Sequence, residues 1–530
     1  MKLKPDLSQK RWLLLLPLGG VLAALSLIFP TVGFLQWVTM VPTLYYVFYR
    51  IQREKMRLRR LYGLGFLYFY PFYLVNWHWF VDLYPMEFAG VSKGTAILLI
   101  IICWFGLSLL QTIFSALVFP VLGGLYRTRF FKNRAFLLPF LGASVYTVAE
   151  WSQTLTWAGV PWARLALGQV ESGVFFNGAA LFGSYFITFS IVAVNGLIAY
   201  TLLHTDRLKR AAICVAAVLA LDLGAGIVGY VTAQSGDGAS VTVAAVQANI
   251  GSHGKWSDKG NPYDIYEEHI AAAAAAGAEI VVLPETFIPS TVSESSALGK
   301  YISKMAKTYK VTLICGGFHR DAVGNRYNGL FTVYPDGTLS DLVYCKQRPV
   351  PFGEFVPMRG LVETLVPPLA DINMLSSDLL PGEDSVINET VAGRMGALIC
   401  FDSIYENLTL DAIRDSAEVI CLSTNDSWFL DSVGVYMHHR QAQLRAVESG
   451  RYIIRSADTG ISSVILPDGS VAEQLEPLVA GNVVANVAPR QTRTLYSYIG
   501  NALVYLLITA ELALVVDAIV LAVRKKRAKQ

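Results

Sequence analysis

Long apolar segments constrain the fold of this chain more than any other feature of its sequence. A helix needs about 20 apolar residues to cross the roughly 30 Å hydrocarbon core of a bilayer. Only 16% of the 530 residues are charged, whereas about a quarter are charged in a typical soluble protein. The sequence therefore predicts a polytopic α-helical membrane domain with eight transmembrane helices. Their predicted positions are residues 12–29, 33–50, 64–81, 95–121, 135–155, 173–203, 210–232 and 499–523.

Positively charged loops predict the orientation of these helices, because short loops rich in Lys and Arg stay in the cytoplasm. All the basic stretches fall on one side if the chain crosses the membrane eight times. We therefore expect both termini in the cytoplasm. Segment 12–29 lacks a small-residue cleavage site, so we interpret it as a retained helix. The basic stretches are the N-terminus and residues 51–60, 126–134, 204–210 and 524–530.

The region between the seventh and eighth predicted helices has the composition of an ordinary globular domain. Apolar strands alternate there with helices, and two "PDG" turns at 335–337 and 467–469 predict antiparallel hairpins. We expect mixed sheets covered by helices. The predicted strands lie within residues 241–250, 279–285, 311–318, 393–400 and 417–424. The predicted domains are a membrane domain at 1–232, an extracytoplasmic α/β domain at 233–498, and a last helix with a basic tail at 499–530.

Several functional classes lack support in the sequence. The net charge of +3 comes without a basic stripe interleaved with aromatics, so we expect no nucleic-acid partner. No CxxC pair occurs among the six cysteines, which argues against a disulfide framework or a cysteine metal site. His438 and His439 are adjacent on a predicted helix without an HExxH pattern, and no P-loop or dinucleotide fingerprint occurs. We therefore expect neither a metal ion nor a cofactor.

Three residues with complementary chemistry stand at the ends of three predicted strands: Glu285, Lys346 and Cys400. A free thiol needs a base or a nearby positive charge to react at neutral pH. A carboxylate in an apolar pocket can take and return a proton. A lysine, helped by the backbone N–H that follows the cysteine, can stabilise an oxyanion. Taken alone, however, Cys400 also fits a core cysteine, and Glu285 with Lys346 fits a buried ion pair.

The segments around these residues resemble the three catalytic segments of the carbon–nitrogen hydrolase (nitrilase) superfamily. They are "LPETFIP" (283–289), "CKQRPVPFGEFVP" (345–357) and "ICFDSIYENL" (399–408). The resemblance to the apolipoprotein N-acyltransferase family is closer and covers essentially the whole chain. It implies an αββα domain inserted into an eight-helix membrane protein. It also rests on "AEWSQTLTWAGVPW" (149–162), "YNGLF" (327–331), "STNDSWF" (423–429) and "RAVESGRYIIRSADTGISSVILPDG" (445–469).

The resemblance implies a catalytic triad in which Glu285 is the general base, Lys346 stabilises the oxyanion and Cys400 is the nucleophile. It implies that Glu354 orients the site. It also implies that Phe401, Asp402 and Trp428 line the entrance of the site. Some members of the family have a tyrosine and a glutamate where this chain has Phe401 and Asp402. An arginine of other members is not matched here, and Glu363 stands near its position, four residues after Arg359.

The activity that the resemblance implies is acyl transfer in two steps. A phospholipid would donate a fatty acyl chain to the cysteine, and the amine of a diacylglyceryl apolipoprotein would accept it. The resemblance also implies a monomer in the bacterial cytoplasmic (inner) membrane, with the lipid bilayer as a further partner. Two alternatives remain open on the sequence. They are a membrane-anchored amidase or other hydrolase with the same triad, and a non-catalytic lipoprotein-binding relative.

Overall fold

The computed structural model describes residues 10–54, 56–86, 91–234, 238–251, 261–365 and 378–527. The chain divides into two compact units. One unit is helical and comprises Met1–His78, Ile102–Val228 and Ile499–Gln530, and the other is an α/β unit of Trp79–Ile101 and Gly229–Tyr498. The basic residues at 1–9 and 528–530, on which part of the predicted orientation rests, lie outside the described residues.

Apolar helices build most of the chain before the first strand. They are α1 (Leu15–Ile28), α2 (Gln36–Thr39), α3 (Val41–Arg53), α4 (Leu58–Asn76), α5 (Lys93–Ser115), α6 (Val118–Tyr126), α7 (Leu138–Ser152), α8 (Val174–Asn177), α9 (Ala179–Phe182), α10 (Ser184–Leu203) and α11 (Leu208–Ala233). Short 3-10 turns join several of them. Helix α1 approaches α4 closely, because a Cβ atom at Gly20 would collide with the carbonyl oxygen of Tyr68.

Five helical segments within the described residues are long and apolar enough to cross a membrane. They are Lys10–Ile28, Lys93–Tyr126, Ser184–Leu203, Thr205–Ala233 and Ala502–Leu521. The other three predicted spans contain the short helices α3 and α7 and the tyrosine-rich helix α4. Fifteen residues in α7 rise only about 22 Å at 1.5 Å per residue. The protein therefore has several candidate membrane helices, and the total of eight stays a prediction.

The α/β unit contains the strands that the sequence predicts, with the second one much shorter than expected. The strands are β1 (Val241–Gln247), β2 (Ile280–Val282), β3 (Thr312–Arg320), β4 (Arg326–Val333), β5 (Tyr344–Cys345), β6 (Ile387–Thr390), β7 (Gly393–Ile399), β8 (Val419–Thr424), β9 (Ile453–Ala457), β10 (Ser463–Ile465), β11 (Val471–Gln474) and β12 (Gly481–Val487). The helices that follow α11 are α12 (Pro262–Ala275), α13 (Ala297–Tyr309), α14 (Arg359–Leu365), α15 (Glu406–Arg414), α16 (Val433–Ser449), α17 (Leu495–Ile499) and α18 (Ala502–Arg527).

Two six-stranded sheets form within the described residues. The first has the order β12-β1-β2-β3-β4-β5 and the second the order β11-β10-β9-β8-β7-β6. Parallel pairs lie at the centre of each sheet, β1-β2-β3 and β7-β8-β9, and antiparallel pairs lie at the edges. The predicted hairpin turn at 467–469 joins the antiparallel strands β10 and β11. The prediction of mixed sheets is confirmed.

Alternating side chains of the first sheet fill two different cores. Ala244 and Val246 face one core, which helices α12 and α13 complete. Val243 and Ala245 face the other core, which Met395 and further residues of the second sheet share. The two sheets therefore pack face to face with helices outside, as the predicted αββα arrangement requires. The central strands β2 and β7 are buried, and each is followed at its carboxyl end by a polar loop.

Candidate active site

The predicted catalytic residues come from both sheets. Glu285 follows β2 and Lys346 follows β5 on the first sheet, and Cys400 follows β7 on the second. Glu285 is 5% exposed and Lys346 is 1% exposed. Strand β3 passes close beside the Glu285 loop, where a Cβ atom at Gly316 would lie 2.8 Å from the Glu285 Cα atom. A side chain at position 316 would therefore displace the carboxylate.

Lys346 lies between two carboxylates. Its Nζ atom is 2.9 Å from Oε1 of Glu285 and 2.8 Å from Oε2 of Glu354. The Asn328 amide nitrogen donates to both carboxylates, at 2.7 Å to Glu285 and 2.8 Å to Glu354. The backbone N–H of Asn425, after β8 of the second sheet, donates to the other Glu285 oxygen at 2.8 Å. The Glu285 carboxylate is thus fixed by contacts from both sheets.

Electrostatics keep the lysine charged and the thiol protonated. Burial alone would lower the pKa of Lys346, but the Glu285 and Glu354 carboxylates hold it well above its usual value. Burial raises the pKa of the Cys400 thiol, and the Glu285 charge raises it further, while Lys346 lowers it. Cys400 is therefore close enough to Glu285 and Lys346 to respond to both charges. A protonated thiol reacts as a nucleophile only when a base takes its proton.

The backbone of Cys400 is in an unusual conformation. Its φ angle is +49°, in the left-handed region that non-glycine residues seldom occupy. Cys400 also begins a 3-10 helix, Cys400–Ile404, so the chain turns sharply at the end of β7. The hydroxyl of Ser403 donates to the Cys400 carbonyl oxygen at 2.7 Å, and Nε2 of His438 lies 3.2 Å from the same oxygen. These contacts hold the turn that carries the Cys400 side chain.

Asp402 lies beneath this turn and not at an entrance. Its side chain is fully buried. One oxygen accepts the N–H of Arg348 at 2.8 Å, and the other accepts the Tyr344 hydroxyl at 2.8 Å and the N–H of Ile399 at 3.2 Å. The expectation that Asp402 lines the entrance is wrong, because these donors occupy its carboxylate inside the protein. It joins the nucleophile turn to the chain around β5.

The other predicted supporting residues are partly exposed. The Phe401 ring packs edge-on against Tyr405 with 5.7 Å between ring centroids. Trp428 lies in the loop after β8, half-buried. Glu363 pairs with Arg359 at 3.6 Å on helix α14. Phe401 and Trp428 are both partly exposed, so their lining of the entrance stays a prediction.

Sequence reasoning missed a buried network behind Cys400. Nδ1 of His438 lies 2.9 Å from Oδ1 of Asp426, and a guanidinium nitrogen of Arg455 lies 2.7 Å from Oδ2 of Asp426. All three side chains are at most 1% exposed. Arg455 in an apolar strand and Asp426 just after another were signals of this network, since buried charges need partners. His438 could not be linked to them from its neighbours in the sequence.

This network also bears on metal binding. Ligand atoms of Cys400, Asp426 and His438 lie within 4.8 Å of one another, so the described residues do contain a cluster of metal-ligating types. Both oxygens of Asp426 are already engaged, one by His438 and Thr424 and the other by Arg455. Burial opposes ionisation of Asp426, but Arg455 and His438 hold its pKa below the usual range. The cluster is therefore built as an ion-pair network.

Comparison with known sequences gives two family matches. Residues 242–496 match the family "Carbon-nitrogen hydrolase", and residues 19–197 match the family "Apolipoprotein N-acyltransferase N-terminal domain". The first match covers the α/β region that carries Glu285, Lys346 and Cys400. The second covers apolar helices from α1 to α10. Together the two matches span most of the chain.

Individual relatives agree with these matches. The apolipoprotein N-acyltransferase of Haemophilus ducreyi is 26% identical over 81% of this chain and 82% of its own length. That of Gloeobacter violaceus is 28% identical over 91% of each chain. A solved nitrilase-superfamily structure from Saccharomyces cerevisiae is 20% identical with a TM-score of 0.38, covering 49% of this chain and 93% of its own. On the two family matches and the full-length relatives, the chain belongs to the apolipoprotein N-acyltransferase family.

Proposed function

We propose that this protein is an apolipoprotein N-acyltransferase that transfers a fatty acyl chain from a phospholipid to the N-terminal amine of a diacylglyceryl lipoprotein. The observation that carries the proposal is that Glu285, Lys346 and Cys400 lie close together. The same chain also contains the apolar helices that match the N-terminal domain of the family. A thiol, a base and a fixed cation are the groups that acyl transfer through a thioester requires. The assignment of roles to these three residues is part of the proposal.

In the first step the Cys400 sulfur attacks an ester carbonyl of the phospholipid. Glu285 takes the thiol proton, which is why the raised pKa of the thiol is compatible with reaction at neutral pH. The negative oxygen of the tetrahedral intermediate is stabilised by the ammonium group of Lys346. The intermediate collapses when Glu285 protonates the departing glyceryl oxygen. A lyso-phospholipid leaves, and the acyl chain stays on Cys400 as a thioester.

In the second step the free α-amine of the lipoprotein attacks the thioester carbonyl. Glu285 accepts the proton of the attacking amine, and Lys346 again faces the developing oxyanion. The C–S bond breaks, an amide forms, and Cys400 recovers its proton. Glu354 supports both steps because its contact with Lys346, at 2.8 Å, holds the ammonium in place.

A membrane location suits these substrates. Each methylene group of a lipid chain costs about 0.8 kcal/mol to extract into water, so an enzyme that works at the bilayer surface avoids a large penalty. We place the protein in the bacterial cytoplasmic membrane as a monomer, with both termini in the cytoplasm and the α/β unit outside. The basic loops predicted to be cytoplasmic support this orientation.

The identity of the acyl acceptor tests this function. Purified protein in detergent is incubated with phosphatidylethanolamine and a diacylated lipopeptide with a free amine. We expect lyso-phospholipid and triacylated peptide in equal amounts, and neither with Cys400→Ala. A lipopeptide with an acetylated amine is the matched control and should stay unmodified. Free fatty acid in place of acylated peptide would favour the hydrolase alternative, and absence of any turnover by folded protein would favour the non-catalytic one.

A further inference from the structure

The group behind the nucleophile is a histidine in contact with the Cys400 carbonyl oxygen. His438 lies on α16, and its Nε2 atom is 3.2 Å from both the Cys400 oxygen and the Ser403 hydroxyl. Its other nitrogen, Nδ1, lies 2.9 Å from Oδ1 of Asp426 and 3.3 Å from a guanidinium nitrogen of Arg455, and that guanidinium nitrogen also donates to Oδ2 of Asp426. The Phe429 ring covers the imidazole, with 5.7 Å between ring centroids. The imidazole is therefore held on each side by a defined contact.

The hydrogen-bond partners of the imidazole set the direction of its contact with Cys400. Nδ1 faces both an acceptor, Oδ1 of Asp426, and a donor, the Arg455 guanidinium. The Ser403 hydroxyl gives its single proton to the Cys400 carbonyl at 2.7 Å. Nε2 lies 3.2 Å from the Cys400 carbonyl oxygen, which can only accept, so this hydrogen bond has Nε2 as its donor. His438 therefore donates toward the Cys400 carbonyl.

Fixing this carbonyl also fixes the next N–H group. In a trans peptide the C=O and N–H bonds point in opposite directions. With the Cys400 carbonyl directed at His438 and Ser403, the Phe401 N–H is directed away from them. That N–H is the backbone donor expected to help Lys346 stabilise the oxyanion. A hydrogen-bond donor on the carbonyl also polarises the peptide and makes its N–H a better donor.

The geometry points to His438 as a positioning residue for acyl transfer: the Asp426–Arg455 pair holds its imidazole on the Cys400 carbonyl, and this contact orients the nucleophile and the Phe401 N–H. The oxyanion part of this inference rests on the proposed function. The orientation of the thiol does not, because the left-handed Cys400 backbone needs support whatever the substrate is.

Two substitutions of the same histidine separate a positioning role from a structural one. In His438→Gln the amide nitrogen can take the position of Nε2 and still donate to the Cys400 carbonyl. In His438→Asn it takes the position of Nδ1, so only the contact with Asp426 survives. Both variants are neutral amides, and they differ only in the length of the side chain. His439→Gln is the control, because His439 is buried on the same helix but contacts Ser463 at 2.9 Å instead.

The first measurement is the rate at which iodoacetamide alkylates Cys400, followed by mass spectrometry of the Cys400 peptide. It needs no lipid, so it tests the inference even if the protein is not an acyltransferase. We expect the alkylation rate to fall roughly tenfold or more in His438→Asn. In His438→Gln it should stay within about threefold of the wild-type rate, and in His439→Gln it should not change. Equal rates in the two His438 variants would overturn the inference.

The second measurement is single-turnover acylation of Cys400 by phosphatidylethanolamine. We expect His438→Asn to lower the maximal rate without changing the lipid concentration at half-saturation, because a positioning residue does not touch the lipid. If His438→Asn does not fold, Ser403→Ala removes the other donor to the same carbonyl and should slow alkylation roughly threefold to tenfold. An unchanged alkylation rate in Ser403→Ala would contradict the inference. If the alkylation rates follow the predicted pattern but phosphatidylethanolamine does not acylate the wild-type protein, the proposed function is rejected and the positioning role of His438 stands.

Discussion

The two sheets of the α/β unit serve the same site with different kinds of contact. The first sheet brings opposite charges together, with Lys346 held between Glu285 and Glu354 at 2.9 and 2.8 Å. The second sheet presents a thiol on a left-handed turn, whose carbonyl is bound by Ser403 and His438. One sheet therefore sets the charge of the site and the other sets the direction of the nucleophile. Substitutions on the two sheets should fail in different ways.

The largest effect should come from the base on the first sheet. Glu285→Gln keeps the shape of the side chain but cannot accept the thiol proton, and general-base catalysis contributes about a hundredfold to ten-thousandfold. We expect Cys400 acylation by phospholipid to fall roughly a thousandfold, with the unfolding temperature little changed. Glu279→Gln, an exposed position just before the same strand, is the matched control. Acylation within tenfold of wild type would remove Glu285 from the role of base.

The next effect should be a loss of stability at Lys346. Lys346→Met leaves the buried Glu285 carboxylate and the partly buried Glu354 carboxylate without their cation, and breaking a buried pair in this way costs about 3–5 kcal/mol. Thermal unfolding in detergent, followed by circular dichroism, measures the change. Adding Glu354→Gln to Lys346→Met should restore part of the loss, because one of the two repelling charges is removed. The exposed Lys307→Met should be neutral, and a comparable loss there would contradict the assignment.

Asp402 should make the stability of the second sheet depend on pH. Burial raises the pKa of Asp402 to about 6, although Lys346 and the hydrogen bonds from Tyr344 and the backbone act against it. The folded pKa is above the unfolded pKa of about 3.9. The group therefore stabilises the fold fully below pH 3.9, and this stabilisation of about 3 kcal/mol is lost as pH rises through 6.

Asp402→Asn isolates this titration, because an amide does not ionise. The stability of wild type relative to Asp402→Asn should decline between pH 4.5 and pH 7.5, as unfolding temperatures in detergent at several pH values would record. A difference that is constant, or that grows with pH, would show that Asp402 does not titrate in this way.

The smallest effect should come from the contact that joins the two sheets. Tyr344 of the first sheet donates its hydroxyl to Asp402 of the second at 2.8 Å. Tyr344→Phe keeps the buried ring and removes one hydrogen bond, which is worth about 1 kcal/mol. The same unfolding experiment measures it. Tyr309→Phe, whose hydroxyl makes a partly exposed contact with Glu267 at 3.2 Å, is the control and should change stability less. Equal losses of stability in Tyr344→Phe and Tyr309→Phe would mean that the hydrogen bond between the sheets stabilises the fold no more than an exposed one does.

The sequence predicted the first sheet's contribution better than the second's. Glu285 and Lys346 of the first sheet follow predicted strands, and charged residues in such places indicate chemistry without knowledge of the fold. Cys400 of the second sheet was predicted as well, but the residues that support it were not. The contact between His438 and Cys400 joins residues 38 positions apart, and only the packing of α16 against the end of β7 creates it. The burial of Asp402 likewise depends on a turn conformation that no local pattern reveals. Among the helices, apolar length marked the long spans, but it did not predict the division of 33–50 into α2 and α3.

The covalent intermediate tests the central claim most directly. Intact-mass spectrometry of the detergent-purified protein after incubation with phosphatidylethanolamine would detect an acyl group on the chain, with Cys400→Ala measured beside it. We expect the mass of the wild-type protein alone to increase by one acyl chain. This increase should disappear when a diacylated lipopeptide with a free amine is added and gains that chain. An increment of equal size in Cys400→Ala, or none in folded wild-type protein, would contradict the account and return Cys400 to the role of a core cysteine.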